Sequence, residues 1–218
     1  MLALMKKNGY FFGLYLLGLI PLMTLWWLTA SGDLNLFKIM FQGGWLAIMV
    51  VGCVGVSEQN ETKNNGYAFL KTLPLSIREI VTAKFSVMFL AVLLLGIHST
   101  LLYQFRTGPD FLVSLGKAYA LLSSCAGLIL GALMYLALYR FGQGGFAKIA
   151  WIAVILILLS PVLVIEAILP KLRLDVQEIS AALSGFSAVG WIIVILGTLT
   201  IYYALMGISI KVKSKQAA

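Results

Sequence analysis

Residues 118–139 read AYALLSSCAGLILGALMYLALY, an uninterrupted run with no charged side chain. At 1.5 Å per residue such a run makes a helix of about 33 Å, matched to a hydrocarbon core about 30 Å thick. Outward from it, Tyr10–Leu28, Ile39–Val56, Val81–Tyr103, Ile149–Ile168 and Val189–Ile210 are similarly apolar, with Lys84 and Glu166 the only Asp, Glu, Lys or Arg among them. Of the 218 residues, 61% are hydrophobic and only 11% charged, with a mean hydropathy of +0.99. A soluble domain carries about 25% charged residues, so no soluble fold of this size could bury so much apolar surface. Disorder, a coiled coil and a disulfide scaffold fall to the same numbers. Strands of a membrane barrel would alternate apolar and polar residues, and these blocks do not. The first block follows Lys6 and Lys7 but exceeds the h-region of about 7–15 residues in a signal peptide, so it reads as a retained span. The expected fold is an all-α integral membrane protein, one domain over 1–218 with six transmembrane helices.

Six spans place both termini on one face. That face holds Lys6, Lys7, Lys63, Lys71, Arg78, Lys84, Arg140, Lys148, Lys211, Lys213 and Lys215, against Glu58, Glu61 and Glu79. The other face and nearby span ends hold Lys38, Arg106, Lys117, Lys171 and Arg173, against all five remaining acids. This bias puts the termini in the cytoplasm, because basic residues are retained on that side during insertion. It also accounts for the net charge of +8 without any nucleic-acid partner. Cys53 and Cys125 lie inside apolar stretches and read as small packing residues.

The third outer loop, 169–188, spaces Leu172, Val176, Ile179, Leu183 and Phe186 along one helical face, with Lys171, Asp175 and Glu178 elsewhere. A short amphipathic helix lying on the outer surface or capping the bundle is expected there. In the fourth block, Gly127 and Gly131 form a GxxxG beside Ser123, Ser124 and Ala126, the composition that allows helices to approach closely.

Signatures of chemistry are missing. Gly142-Gln143-Gly144-Gly145-Phe146-Ala147-Lys148 has glycines and a lysine, but not the spacing of a phosphate loop. There is no HExxH, no GxSxG and no paired-cysteine zinc pattern, so no catalytic or metal site and no cofactor is expected in this chain. Two ionisable residues within spans are candidate polar sites, because charge is costly in a membrane. His98, beside Ser99 and Thr100, reads as a neutral hydrogen-bonded structural residue; Glu166 closes the fifth span between Pro161 and Pro170 and reads as reaching the outer interface.

The most distinctive stretch joins the second and third spans: SEQNETKNNGYAFLKTLPLSIREIVTAK, residues 57–84. Asn64 and Asn65 can cap a short helix over Gly66–Leu73, which Pro74 stops. Ser76 and Glu79 then fit a capping box that opens the helix of the third span. Tyr67, Phe69, Leu70 and Leu73 form an apolar stripe too short to cross a bilayer, and such a face needs lipid or a protein partner.

In the order Glu61, Asn65-Gly66-Tyr67, Phe69-Leu70, Leu73-Pro74, Ser76, Arg78-Glu79-Ile80-Val81, Lys84, this stretch resembles the signature between the second and third spans of type 2 ATP-binding-cassette permeases. The six-span layout extends the resemblance to the whole chain. The resemblance implies that the short helix is a coupling helix docking on a separate ATPase subunit. Tyr67, Phe69, Leu70 and Leu73 would then form the docking face, Pro74 and Ser76 the turn, and Arg78 and Glu79 would hold the return into the membrane. It implies a subunit that performs no catalysis, paired with a second copy or a paralogue, with ATP and magnesium held on the partner ATPase. It also implies a multi-pass protein of a bacterial plasma membrane, among lipids, exporting an amphipathic or hydrophobic peptide, lipid or drug-like cargo. Only nine residues precede Tyr10, so the cytoplasmic amphipathic helix of larger members is truncated or missing. The chain is in this respect similar to compact bacterial permeases, among them peptide-toxin exporters such as those for phenol-soluble modulins. Two other readings compete: the substrate-capturing subunit of an energy-coupling-factor importer, which lacks the Leu73-Pro74…Arg78-Glu79 motif, and a membrane-embedded lipid enzyme, for which one histidine and no clustered acids are poor equipment.

Overall fold

The computed structural model describes residues 2–29, 35–63, 75–105, 110–162, 171 and 176–217. Within them the chain is almost wholly helical and contains no strand: α1 (Leu2–Thr29), α2 (Leu36–Lys63), α3 (Ile77–Gln104), α4 (Asp110–Val162), α5 (Val176–Ser184) and α6 (Ala188–Ala217). Four stretches are long and apolar enough to cross a membrane: 36–59, 77–104, 110–160 and 188–215; α1 adds a shorter apolar run, Phe12–Leu25.

The 53 residues of α4 would measure about 80 Å if straight, far more than one bilayer core. They are not one helix. Gly142 has φ 68° and ψ −172°, a left-handed conformation open to glycine at little cost. The chain reverses there, because both halves reach the same turn of α2. A Cβ placed on Gly43 would strike the Tyr119 ring in the first half, and one on neighbouring Gly44 would lie 3.2 Å from Ile157 in the second. The expected fourth and fifth blocks are thus two antiparallel arms of α4.

Neighbouring contacts fix the other directions. Near one end of the bundle, Trp27 of α1, Ile39 of α2, Leu102 and Tyr103 of α3 and Leu112 and Leu115 of α4 form a small buried cluster. Here α1 and α3 finish, and α2 and α4 begin. The other end gathers the finish of α2, the start of α3, the Gly142 elbow and the finish of α6; Lys213 lies 4.4 Å above the Tyr139 ring. We call these the far end and the loop end. Between them a larger core draws on α1, α2, α3, α4 and α6. The GxxxG pair contributes as expected: Gly131 lets α4 close on Met88 of α3 and Val50 of α2, where an added Cβ would lie 2.9 Å from the Val50 methyl.

The expected amphipathic helix is α5. Ile179 and Leu183 pack on the Trp27–Tyr103 cluster and cap the far end. Phe186 lies beyond the helix, because the backbone turns at Gly185, whose N–H donates to the Ala181 carbonyl; Phe186 packs instead on Trp191 of α6. Leu172 and Asp175 lie outside the described residues.

The second helix is longer than its apolar block. Polar residues from Ser57 onward suggest an end at Val56, yet α2 continues to Lys63 with Ser57 and Glu58 both buried. The charge of Glu58 is met inside the bundle and so does not have to be exposed.

Candidate functional site

The helix ends that flank residues 64–74 carry the elements singled out in sequence. Ser76 adopts an extended conformation and caps α3: its Oγ accepts from the Glu79 backbone N–H (3.2 Å), while a Glu79 carboxylate oxygen accepts from the Ser76 backbone N–H (2.9 Å). The expected capping box is present, and it satisfies donors that the first turn cannot use. Arg78 is exposed on that first turn. Tyr67, Phe69, Leu70, Leu73 and Pro74 lie outside the described residues, as does Glu166.

Immediately inside the caps is a polar junction between residues that the sequence alone does not bring together. The Lys84 ammonium of α3 is bound to the Glu58 carboxylate of α2, with both side chains excluded from the surface (0% and 3% exposed). Desolvating two charges is expensive, and such a pair survives only where its geometry is good and its surroundings supply further partners. Tyr135 of α4 lies in the field of both charges. Its ring stacks on Phe85 at 5.4 Å and on Tyr139 at 6.0 Å. The Tyr202 hydroxyl of α6 donates to the Phe85 carbonyl (2.5 Å), and its ring also faces Phe85. One turn of α3 therefore touches α2, α4 and α6. A signal for the pair is present in sequence: an acid ending the second apolar block and a lysine near the start of the third occupy the same bundle end once the helices run antiparallel. Counted only toward the charge of that face, both pass for surface residues.

At the far end His98 makes a second polar crossing. Its Nε2 lies 2.9 Å from Oγ1 of Thr24 on α1. The Thr24 hydroxyl donates its own proton to the Ile20 carbonyl (2.8 Å), so Thr24 accepts and His98 Nε2 carries the hydrogen. The expectation of a hydrogen-bonded histidine is met, with a partner 74 residues away in sequence rather than Ser99 or Thr100; the Thr100 hydroxyl bonds the Gly96 carbonyl of its own helix. His98, Pro21, Thr24 and Leu25 wall a groove of about 830 Å³ between α1 and α3.

A second cavity, about 370 Å³, lies between α3, α4 and α6, walled by Phe89, Val92, Leu128 and Leu199 among others. Three hydroxyls line it, Thr100, Ser124 and Thr198, and each donates to the carbonyl four residues back in its own helix. The cavity accordingly presents almost no polar surface. Among the described residues no group of three or more His, Cys, Asp or Glu could hold a metal ion, and Cys53 and Cys125 are free thiols.

A bundle of several long apolar helices, with a buried ion pair beside the connection between α2 and α3, defines a helical multi-pass membrane protein. The sequence profile of the ABC-2 family transporter protein matches residues 2–213, nearly the whole chain, and the protein belongs to that family. It is a membrane-embedded permease subunit of an ATP-binding-cassette transport system. No curated protein and no solved structure matches it.

Proposed function

We propose that the chain is the permease of an ATP-driven exporter in a bacterial plasma membrane. It crosses the bilayer six times with cytoplasmic termini, and it works as a dimer with itself or a paralogue. In this reading Gly66–Leu73 form the coupling helix, and Tyr67, Phe69, Leu70 and Leu73 dock in a groove of a separate ATPase that holds ATP and magnesium. This chain then contributes no catalysis. It contributes two packings whose relative stability depends on the nucleotide state of its partner, since a ligand can shift an equilibrium only through different affinity for its two states. The observation that carries the reading is the family match over residues 2–213. The antiparallel arms of α4 support six crossings, and the excess of basic residues at the loop end supports cytoplasmic termini. The apolar cavity between α3, α4 and α6 supports a hydrophobic or amphipathic cargo.

The test is the variant Phe69→Ala with Leu70→Ala. Truncating a central interface anchor costs about 2–4 kcal/mol, or roughly 30- to 1,000-fold in affinity. The variant chain is expected to insert and fold but to lose ATPase co-purification. Retention of the ATPase at wild-type yield would overturn the docking assignment.

A further inference from the structure

We propose that Glu58 and Lys84 are positioning residues, a clamp that makes the ends of α2 and α3 flanking residues 64–74 one rigid lever, whose motion reaches α4 and α6 through Tyr135 and Tyr202. The inference rests on the permease reading above and adds to it the route by which movement at the loop end enters the bundle.

Four observations place the clamp. The pair joins residues 26 apart in sequence and so closes a ring whose remaining arc is the connection itself. Both charges are buried, although each lies within about two turns of the helix end that borders residues 64–74. A buried ion pair adds little net stability compared with apolar packing, but it admits one register where apolar contacts admit several. Directly behind Lys84, Phe85 offers its carbonyl to Tyr202 and its ring to Tyr135, so the turn that carries the ammonium is also the turn held by α6 and α4. Finally, the capping box of Ser76 and Glu79 fixes where α3 starts, two turns before Lys84, so a displacement of that start is carried along a defined helix rather than lost in fraying. With the pair made, α2 cannot slide along α3; a force on either end moves both, and α4 and α6 with them.

The experiment uses the full chain purified with the ATPase that accompanies it, in a Cys53→Ala, Cys125→Ala background. Spin labels replace Phe37 and Val189, two exposed residues at the far-end starts of α2 and α6, remote from the clamp. Their distance is measured by electron–electron resonance in the nucleotide-free state and after trapping with ATP and vanadate. The wild-type chain should show a nucleotide-dependent shift in the distance distribution. In Glu58→Leu with Lys84→Met, apolar packing replaces the pair without leaving a charge stranded; this variant should keep the ATPase bound and hydrolysing while the shift is lost. Tyr202→Phe, which removes only the α6-to-α3 hydrogen bond, is a milder second variant and should lose the shift in the same way. A purely structural pair would leave the shift intact, so a wild-type shift in either folded variant overturns the clamp. A wild-type chain that carries no ATPase overturns the permease reading and the clamp together, an outcome distinct from a failure seen only in the variants.

Discussion

The two ends of the bundle solve the same problem with different chemistry. At the loop end, α2 and α3 are joined by two buried full charges, with a tyrosine in their field and a second tyrosine bonded to the adjacent backbone. At the far end, a hydrogen bond between Thr24 and His98 joins α1 and α3, beside a packed cluster in which Trp27 meets Tyr103 edge-on at 5.1 Å. Apolar packing would hold either end for less desolvation. A costly polar contact is justified where register matters more than stability, and the ion pair lies at the helix ends that flank residues 64–74. The far end is held mainly by shape.

The comparison is tested hardest by leaving one charge alone. Lys84→Met strands the Glu58 carboxylate in the bundle, and breaking one side of a buried pair costs about 3–5 kcal/mol. The single variant should fall sharply in thermal stability and in yield from membranes. Adding Glu58→Leu should restore most of both, because the second change removes the stranded charge. If Lys84→Met melts like the wild type, the pair is not buried as described and the two ends are alike.

Local features of both ends are legible in the amino-acid sequence. Apolar runs mark the helices, because in a membrane the backbone must satisfy itself and only the length of a run then matters. Ser76 and Glu79 announce their capping box because caps are local in sequence. The amphipathic period of 176–183 marks α5 for the same reason. Contacts between distant residues are hidden. Nothing near His98 in sequence names Thr24 as its partner, and Glu58 resembles the start of a polar loop because hydropathy counts a charge without asking what neutralises it. The Gly142 reversal shows the same boundary. Length alone requires two passes in 110–160, but only the backbone shows that the helical run scarcely pauses between them.

Two smaller predictions sharpen the contrast between an end held by register and a middle held by shape. Gly131→Leu forces a branched side chain against Met88 and Val50, and overpacking of this kind costs about 1–3 kcal/mol. Its melting temperature should fall, while Gly144→Leu should change little, because a Cβ on Gly144 meets nothing within 4 Å. Ser76→Ala removes the acceptor for the Glu79 N–H and should cost about 1 kcal/mol. That loss should appear as faster amide exchange over the first turn of α3, with the remainder of the helix unchanged. Unchanged exchange there would mean that the capping box does not hold the start of the lever.

The smallest effect is expected at the far end, in His98→Leu. The substitution removes the Nε2–H donated to Thr24 and keeps apolar bulk beside Pro21, Leu25 and Leu102. Hydrogen bonds between membrane helices average only about 0.6 kcal/mol, because the separated helices also find partners for their polar groups. Thr24 loses little, since its own proton already goes to the Ile20 carbonyl and only its acceptor capacity is vacated. The leucine also leaves no charge stranded, unlike Lys84→Met at the opposite end. Thermal unfolding of the two single variants, measured side by side in the same detergent, should therefore differ by several kcal/mol. A His98→Leu variant as unstable as Lys84→Met would show that the far end depends on its polar bond as heavily as the loop end does, and the contrast between the ends would not stand.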